Sequence, residues 1–419
     1  MGKMDLIITV TGLAMAAYHL VFSQYLLQGP VEHSSTHLGF SLVLVFMGAL
    51  KDSAHKYRRV FFLTAAIFSL VATGYVGVLH DELEERVWFN TPADLVIGVI
   101  TILLVLEATR QAFGLLVPLF AVMVVIYPFV GRHFPEPFYT TSLSLAKTIS
   151  NLSVGLSGIY GPILSISANY IFLFILFGGL LQATGATGFF LEAGKMIGNR
   201  FRGGPGLMAV AGSAAVGSIT GSVAANIAIT GSFTIPLMKK AGYKPAQAAA
   251  IEAAASNGGQ IMPPIMGIVA FGMAGVTGIP YVKIIAMALL PAILYFFCCG
   301  VYVQLRAEQL KIPFTVTDID VKELALSSPL FLVPITVVIV LLIRGYTVMH
   351  CGFWAIVSLI AVSLIRRKSR PSLRDFANGF TQGAITGAQI GVMCAASGLI
   401  VSTFVMSGLG VKLSAGIEA

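Results

Sequence analysis

The chain has 419 residues, of which 57% are hydrophobic and only 11% charged, and its mean hydropathy is +0.88. Soluble domains carry about 25% charged residues, so this composition excludes an ordinary soluble protein and predicts an all-α polytopic membrane protein. The net charge of +8 does not indicate nucleic-acid binding, because the cations cluster in short loops between apolar runs, as membrane topology requires.

Apolar runs recur along the whole chain at lengths that suit membrane helices, for which about 20 residues make a full span. The first run is not followed by a small-residue cleavage site, so it predicts a retained span rather than a signal peptide. The runs lie at residues 6–27, 38–50, 60–79, 95–106, 115–130, 166–181, 246–274, 284–303, 330–343, 352–365 and 385–404.

Charged loops predict the sides of the membrane, because basic residues favour the cytoplasmic side. Asp81, Glu82, Glu84 and Glu85 mark one external loop. The basic residues expected inside are Lys51, Lys56, Arg58, Arg59, Arg200, Arg202, Arg366, Arg367, Lys368, Arg370 and Arg374. If successive loops alternate between the two sides of the membrane, all these basic residues are cytoplasmic only when the segment 203–238 enters and leaves the membrane on the same side.

The chain is predicted to divide near Phe113. Residues 1–112 form a four-helix membrane domain with little internal polarity, in which we expect His19 and Glu107 to make helix–helix contacts. Residues 113–419 form a transport and scaffold domain. A weak similarity between Gly179-Leu180-Leu181 and Gly398-Leu399-Ile400 suggests an inverted repeat, with a first repeat at about 113–303 and an incomplete second one at about 328–419.

Several functions are excluded by missing motifs. The sequence has no Gly-x-x-x-x-Gly-Lys-Ser/Thr loop, no His-Glu-x-x-His and no Gly-x-Ser-x-Gly, so we expect neither an ATP motor nor an enzyme. The four cysteines lie in apolar stretches without metal-type spacing. We expect free, buried thiols at Cys298, Cys299, Cys351 and Cys394.

The segment 203–238 contains no charged residue and is bracketed by Arg200 and Arg202 before it and by Lys239 and Lys240 after it. Its centre, residues 218–222, is too small and polar to face lipid. Backbone that leaves a helix at membrane depth must be buried in protein or line a cavity. We therefore predict a re-entrant helical hairpin with its tip near Gly221.

A broken helix is predicted directly after the hairpin. The Ala-rich helix should stop at Ser256-Asn257-Gly258-Gly259, because two glycines disfavour helix. The pair Pro263-Pro264 keeps the preceding backbone extended, and a new half-helix is expected to begin at Pro264. Broken helices near the midplane mark the binding sites of transporters.

The two features together predict ion and anion sites. A half-helix C-terminus with unwound carbonyls, Ser256 and Asn257 offers oxygen ligands to a small cation such as Na⁺. Half-helix N-termini at the hairpin tip offer N–H groups to an anion. Serine and threonine in membrane helices often bond only a neighbouring carbonyl. For Glu252 two readings stay open, a functional group within the membrane or a surface residue paired with a lysine.

The motifs resemble tripartite ATP-independent periplasmic (TRAP) transporters. Two stretches carry the resemblance: Gly217-Ser218-Ile219-Thr220-Gly221-Ser222-Val223-Ala224-Ala225-Asn226, and Ala255-Ser256-Asn257-Gly258-Gly259-Gln260-Ile261-Met262-Pro263-Pro264. The sequence of these stretches is most similar to the fused membrane permease component of the TAXI subgroup, in which the small and large membrane subunits form one polypeptide.

The resemblance implies an elevator-type, Na⁺-driven permease of the bacterial or archaeal inner membrane. Its partners would be a periplasmic substrate-binding protein, a small organic acid and membrane lipid, with no nucleic acid. The implied Na⁺ ligands are Ser218, Ser222, Asn226, Ser256, Asn257, Gly258 and Gly259. The implied anion-binding residues are Thr220, Gly221, Ser222, Pro263 and Pro264.

The chain ends at Glu418-Ala419, just after the span that would introduce a second hairpin. We therefore expect a C-terminally truncated second repeat without its hairpin, broken helix and cation site. The alternatives to a TRAP permease are a stand-alone elevator-type Na⁺/anion symporter and a non-transporting membrane scaffold. The four additional N-terminal spans argue against the first alternative.

Overall fold

The computed structural model describes residues 2–25, 28–136, 138–141, 143–314, 318–365 and 370–418. Within these ranges the chain is helical and contains no β-strand. The predicted cytoplasmic residues Arg366, Arg367 and Lys368, and the terminal Ala419, lie outside the described residues.

The chain forms two compact units, Met1–Phe172 with Ala384–Ala419, and Leu173–Gly383. The helices of the first unit are α1 Lys3–Phe22, α2 Pro30–Asp52, α3 Lys56–Glu85, α4 Pro92–Phe113, α5 Leu116–Val130, α6 Leu145–Ile149 and α7 Pro162–Ile166. Two π-helical turns, Ser150–Val154 and Ser167–Ile171, follow α6 and α7. The predicted division near Phe113 concerns domain roles, and it stays a prediction.

The second unit contains the predicted hairpin and broken helix. Its helices are α8 Phe172–Ala183, α9 Thr187–Gly198, α10 Gly204–Thr220, α11 Val223–Ala241, α12 Pro245–Gly258, α13 Ile268–Thr277, α14 Tyr281–Gln309, α15 Val321–Ile343 and α16 Val348–Ile365. The boundary between the units falls within α17 Leu373–Ser407, and α18 Leu409–Glu418 belongs to the first unit.

Ten helices of the described part are long and apolar enough to cross a membrane. Each of the predicted apolar runs except 246–274 overlaps one of them, so the all-α polytopic fold class is confirmed. The exception is the segment predicted to be broken. Helix starts follow local chemistry, as at α4, where Thr91 and Asp94 form a reciprocal capping box around Pro92.

Two polar residues of the first unit were expected to contact a neighbouring helix. His19 on α1 shares a 2.9 Å hydrogen bond between its Nε2 and Nδ1 of His37 on α2, which confirms the expected helix–helix contact. The carboxylate of Glu107 accepts hydrogen bonds from Arg110 and Gln111 of its own helix, and its contact with another helix stays a prediction. Residues three and four positions apart face each other on a helix, and this proximity satisfies Glu107 locally.

The thiols are free, as expected, but they are not all buried. Cys351 and Cys394 are buried, Cys299 is partly exposed and Cys298 is exposed. The expectation was wrong for Cys298 because an apolar membrane helix does not reveal from its composition which side faces protein and which faces outward.

The second unit has a continuous apolar core beside the hairpin. α10, α11, α12 and α14 contribute buried side chains to it, among them Val210, Met238, Ala248, Phe296 and Val303. This packing holds the hairpin and the first half of the broken helix in one compact unit.

Candidate functional site

The segment 203–238 forms a helical hairpin, as predicted. α10 ends at Thr220, Gly221 takes the left-handed conformation with φ 56°, and Ser222 is extended with its hydroxyl accepting from the amide of Ala225 at 3.4 Å. Glycine is the residue that ends helices in this conformation, and serine is a preferred N-cap. The sequence therefore contains both the stop and the restart at the tip.

The two legs of the hairpin are joined by buried polar groups. The side-chain amide of Asn226 donates to the carbonyl of Ser213 at 2.9 Å, and the hydroxyls of Ser213 and Thr230 lie 3.2 Å apart. All three side chains are fully buried. In an apolar environment such contacts both hold and align the two helices.

The helix after the hairpin is interrupted where the sequence predicts. α12 ends at Gly258, and the chain continues through a non-helical loop that contains a cis peptide bond between Pro263 and Pro264. The prediction that the second half-helix begins at Pro264 is wrong, because α13 begins at Ile268.

The late start of α13 has a local cause. The amide of Ile265 donates to the carbonyl of Ser218 in the hairpin at 3.0 Å, and the amide of Gly267 donates to the carbonyl of Gln260 at 2.6 Å. Met266 between them has a left-handed backbone with φ 56°. These residues direct their amides to the hairpin and the loop, so a helix forms only after Gly267.

The hairpin tip and the interruption lie in backbone contact. A Cβ atom on Gly217 would lie 2.3 Å from Cα of Gly259, and one on Gly221 would lie 1.9 Å from the carbonyl oxygen of Met266. Real Cβ atoms do not approach other atoms so closely, so only glycine fits at Gly217 and Gly221. Small residues are what allow membrane helices to approach at this distance.

Four helix ends consequently meet at one place. The C-terminal end of α10 and the N-terminal end of α11 form the tip, and the C-terminal end of α12 and the start of α13 flank the loop beside it. Helix N-termini carry free N–H groups and positive partial charge, whereas C-termini carry free carbonyls and negative partial charge. The junction can therefore receive an anion and a cation side by side.

The predicted anion-binding residues have different surroundings. The Thr220 hydroxyl oxygen is buried and has no hydrogen-bond partner among the described residues. Ser222 is engaged as the N-cap of α11. The hydroxyl of Tyr281 contacts the carbonyl of Ile265 and, at 3.1 Å, that of Pro264, and its one proton is available to either oxygen.

Four of the predicted Na⁺ ligands lie together. Asn226 donates to the carbonyl of Ser256 at 3.4 Å, and its amide nitrogen also lies beside Gly259. Ser218 takes part through its backbone carbonyl, since its hydroxyl donates to Ala215 of its own helix. The side-chain oxygen of Asn226 is buried and has no partner among the described residues.

The other two residues of the predicted break do not face the hairpin. Asn257 is exposed, and a Cβ atom on Gly258 would meet the rings of Tyr295 and Phe296 on α14. Successive residues of a helix point in different directions. Their order in the chain therefore does not show which residues of the break contact the hairpin and which do not.

Glu252 is the residue for which the structure separates the two readings. It is fully buried, and its carboxylate accepts hydrogen bonds from the hydroxyls of Thr230, Thr234 and Ser256. Among the described residues, Glu252 forms no ion pair with a lysine or arginine. The reading of a surface pair with lysine is therefore wrong.

Sequence reasoning missed two polar residues of this group, Ser213 and Thr234. Thr230 and Thr234 on α11 are spaced by four residues, as are Glu252 and Ser256 on α12. This spacing puts each pair on one helix face. Two such polar faces on consecutive helices are the signal that could have identified the cluster.

Tyr243 lies in the connection between the hairpin and α12 and forms a hydrogen bond to the start of the hairpin. Its buried hydroxyl donates to the carbonyl of Gly203 at 3.3 Å, at the start of the hairpin. Burial raises the pKa of Tyr243 to about 12, because desolvation disfavours the phenolate. The hydroxyl therefore stays protonated and remains a donor at physiological pH.

The fold and this junction define a class, that of polytopic α-helical membrane proteins with a helical hairpin packed against an interrupted helix. Residues 100–418 match the family model of the tripartite ATP-independent periplasmic transporter, DctM component. The chain belongs to this family of TRAP transporter permeases and is a multi-pass protein of the inner membrane. The hairpin, the interruption and Glu252 all lie within the matched residues.

The chain is also similar to two curated proteins, of which the second has a TRAP permease name. The chain is 29% identical to the uncharacterized protein y4mL of Sinorhizobium fredii over 220 residues, which are 51% of this chain and 52% of that protein. It is 26% identical over 140 residues to a Haemophilus influenzae protein provisionally named TRAP transporter large permease, covering 33% of this chain and 32% of that one. The chain thus spans about half the length of the first relative and about a third of the second.

Proposed function

We propose that this chain is the permease of a Na⁺-coupled secondary transporter that imports an organic anion, a carboxylate, delivered by a periplasmic substrate-binding protein. Membership of the TRAP permease family supports the coarser part of this proposal. The junction of hairpin and broken helix supports the finer part, because it brings cation-binding and anion-binding groups together.

The observation that carries the proposal is a pair of unsatisfied oxygens at the junction. The Thr220 hydroxyl and the Asn226 side-chain carbonyl are buried and have no hydrogen-bond partner among the described residues. A buried polar group without a partner costs about 1–3 kcal/mol. One of these oxygens belongs to Asn226, whose amide contacts the carbonyl end of α12, and the other lies at the end of α10. Together they favour a site that is completed by a cation such as Na⁺.

A carboxylate suits the other side of the junction. α11 begins at Val223 and α13 at Ile268, and both starts lie at the junction with free N–H groups. Helix N-termini bind anions through these groups and through the helix dipole. A substrate anion bound beside the cation would partly neutralise its charge, which provides a physical reason for coupling the two.

The proposal includes the wider organisation implied by the TAXI-type motifs. Residues 1–112 act as a small-subunit-like bracing domain in membrane lipid, and residues 113–419 contain the transport and scaffold parts of an elevator. Movement of a transport part that carries the whole junction would expose the site to either side without breaking the contacts between hairpin and loop.

Proteoliposome uptake tests the proposal. The full chain is reconstituted, and uptake of a panel of radiolabelled mono- and dicarboxylates is measured with an inward gradient of Na⁺, K⁺ or choline. Each condition is run with and without a candidate periplasmic substrate-binding protein from the same organism.

We expect uptake of at least one acid that requires both Na⁺ and the binding protein. Equal uptake without the binding protein would instead identify a stand-alone symporter. Equal uptake in choline would contradict Na⁺ coupling, and no uptake of any acid would favour a membrane scaffold.

A further inference from the structure

A second group of oxygens lies about two to four helical turns away from Gly221 at the hairpin tip. Its centre is the carboxylate of Glu252, which is fully buried on α12. Four hydroxyls on three helices surround it, those of Ser213, Thr230, Thr234 and Ser256, and each of these residues is also fully buried.

An ionised carboxylate in this position needs a compensating positive charge. Burial of an ionised carboxylate without a counter-charge is costly, and acidic residues inside membrane segments pair with cations or lie on ion pathways. Glu252 has no basic partner in the part of the chain that the structure describes. Four neutral hydroxyls supply hydrogen bonds but no charge.

The spacing of the oxygens around Ser213 suits an ion of the size of Na⁺, whereas the hydroxyls of Thr230 and Thr234 lie closer to the carboxylate, at hydrogen-bonding contact. Oxygens bind Ca²⁺, which is close to Na⁺ in radius, at about 2.3–2.6 Å, so neighbouring oxygens of an octahedral shell at that radius lie about 3.3–3.7 Å apart. Three of the observed separations run from Ser213 Oγ: 3.2 Å to Thr230 Oγ1, 3.4 Å to Ser256 Oγ and 3.4 Å to Glu252 Oε1. The hydroxyl–hydroxyl contacts exceed the usual length of about 2.7–2.8 Å for an O–H···O hydrogen bond.

The threonine hydroxyls can turn their lone pairs toward an ion. Thr230 Oγ1 lies 2.9 Å from the carbonyl of Asn226, and Thr234 Oγ1 lies 2.9 Å from the carbonyl of Thr230. Each hydroxyl can therefore donate its proton to the preceding helical turn. Because a hydroxyl has only one proton, this change gives up its hydrogen bond to the carboxylate of Glu252. A cation bound to the carboxylate would replace that bond, and the hydroxyl oxygen could then act as a ligand.

An independent observation points to the same place. The side-chain nitrogen of Asn226 bonds the carbonyls of Ser213 and Ser256, two residues of the cluster, while its oxygen is buried without a partner among the described residues. Asn226 thus lies next to both the tip and the cluster, and its side-chain oxygen still lacks a partner among the described residues.

We propose that Glu252, with Ser213, Thr230 and Ser256, binds a second monovalent cation of Na⁺ size, separate from the one at the hairpin tip. One carboxylate and neutral oxygens balance a single positive charge, whereas divalent sites use more carboxylates. The inference rests on the proposed function for its role, since a second cation would add one charge to each transport event. It does not depend on that function for its existence.

Direct measurement of ion binding tests this inference. Binding of radioactive Na⁺ to the purified full chain is measured in detergent, with unlabelled Na⁺, K⁺ and choline as competitors. The variant Glu252→Gln keeps the size of the side chain and one accepting oxygen but removes its charge. The matched control is Glu192→Gln, since Glu192 is also buried in the second unit but is paired with Lys195 at 2.6 Å.

We expect the unaltered chain and Glu192→Gln to bind two Na⁺ ions, and Glu252→Gln to bind one. Ser222→Ala, which alters the tip, should keep the ion at Glu252. If Glu252→Gln is not folded, Ser213→Ala serves as the second variant, with binding to one of the two sites weakened about tenfold.

Undiminished Na⁺ binding by both Glu252→Gln and Ser213→Ala would overturn the inference. Absence of Na⁺ binding in the unaltered chain would overturn it together with the Na⁺ coupling. Loss of one ion in Glu252→Gln without uptake of any carboxylate by the unaltered chain would support the cation site and contradict only the proposed transport function.

Discussion

The amide of Ile265 donates a 3.0 Å hydrogen bond to the carbonyl of Ser218. This bond joins two segments that both leave the helical conformation, the hairpin tip and the loop of the broken helix. Each segment supplies the hydrogen-bond partner that the other lacks, as buried backbone requires. The junction is therefore one cooperative element, and changes on either side of it should affect both.

The first prediction concerns the close approach of Gly217 and Gly259 and its effect on the stability of the chain. Gly217→Ala places a methyl group 2.3 Å from Cα of Gly259, and forcing an extra methyl group into a packed core costs about 1–3 kcal/mol. The thermal unfolding midpoint of the purified chain should fall, as measured by size-exclusion chromatography after heating.

Gly272→Ala is the matched control for this change. Gly272 lies in α13, and a Cβ atom there would have no neighbour within 4 Å. Alanine in an open helical position should be neutral or stabilising by about 0.5–1 kcal/mol. Equal destabilisation by the two substitutions would show that the contact between Gly217 and Gly259 is not tight.

The second prediction concerns Asn226 and the affinity of the site for Na⁺. Asn226→Ala removes the unsatisfied oxygen and the bond to Ser213, so the Na⁺ concentration for half-maximal uptake should rise about tenfold or more. The measurement is carboxylate uptake into proteoliposomes as a function of external Na⁺.

Ser232→Ala on the same helix is the control, because Ser232 is exposed on α11 and its hydroxyl bonds only the carbonyl of Ile229. It should leave the Na⁺ dependence unchanged. An unaltered Na⁺ dependence in Asn226→Ala would remove Asn226 from the site.

The third prediction concerns the first unit, where Arg86 pairs with two acids of different burial. The side chain of Asp94 is fully buried and lies 3.1 Å from Arg86, whereas that of Glu82 is 60% exposed and lies 3.2 Å away. Asp94 also accepts from the hydroxyl of Tyr75 at 2.6 Å and from the amide of Thr91 at 2.7 Å.

Asp94→Ala should destabilise the chain by about 3–5 kcal/mol, because it leaves partly buried partners without their acceptor. Glu82→Ala should cost no more than about 1 kcal/mol, since an exposed pair contributes little. Thermal unfolding of both variants provides the comparison. Similar losses of stability in the two variants would mean that burial does not decide how strongly each acid stabilises the chain through Arg86.

The sequence by itself determined the helices and the places where they stop. Apolar runs identified the spans, and the uncharged segment between two basic pairs identified the hairpin. The Gly221-Ser222 pair and the Gly258-Gly259 pair identified its tip and the interruption. These features are local, because helix propensity, capping and the cost of charge in a membrane depend on neighbouring residues.

Only the tertiary structure decided which groups meet. It turned Asn257 away from the hairpin, moved the start of α13 to Ile268, and put Glu252 beside Thr230 and Thr234. The reason is that the side of a membrane helix that faces protein cannot be read from uniformly apolar composition. It is set by packing between segments that lie far apart in the chain, which supplies partners that no local pattern encodes.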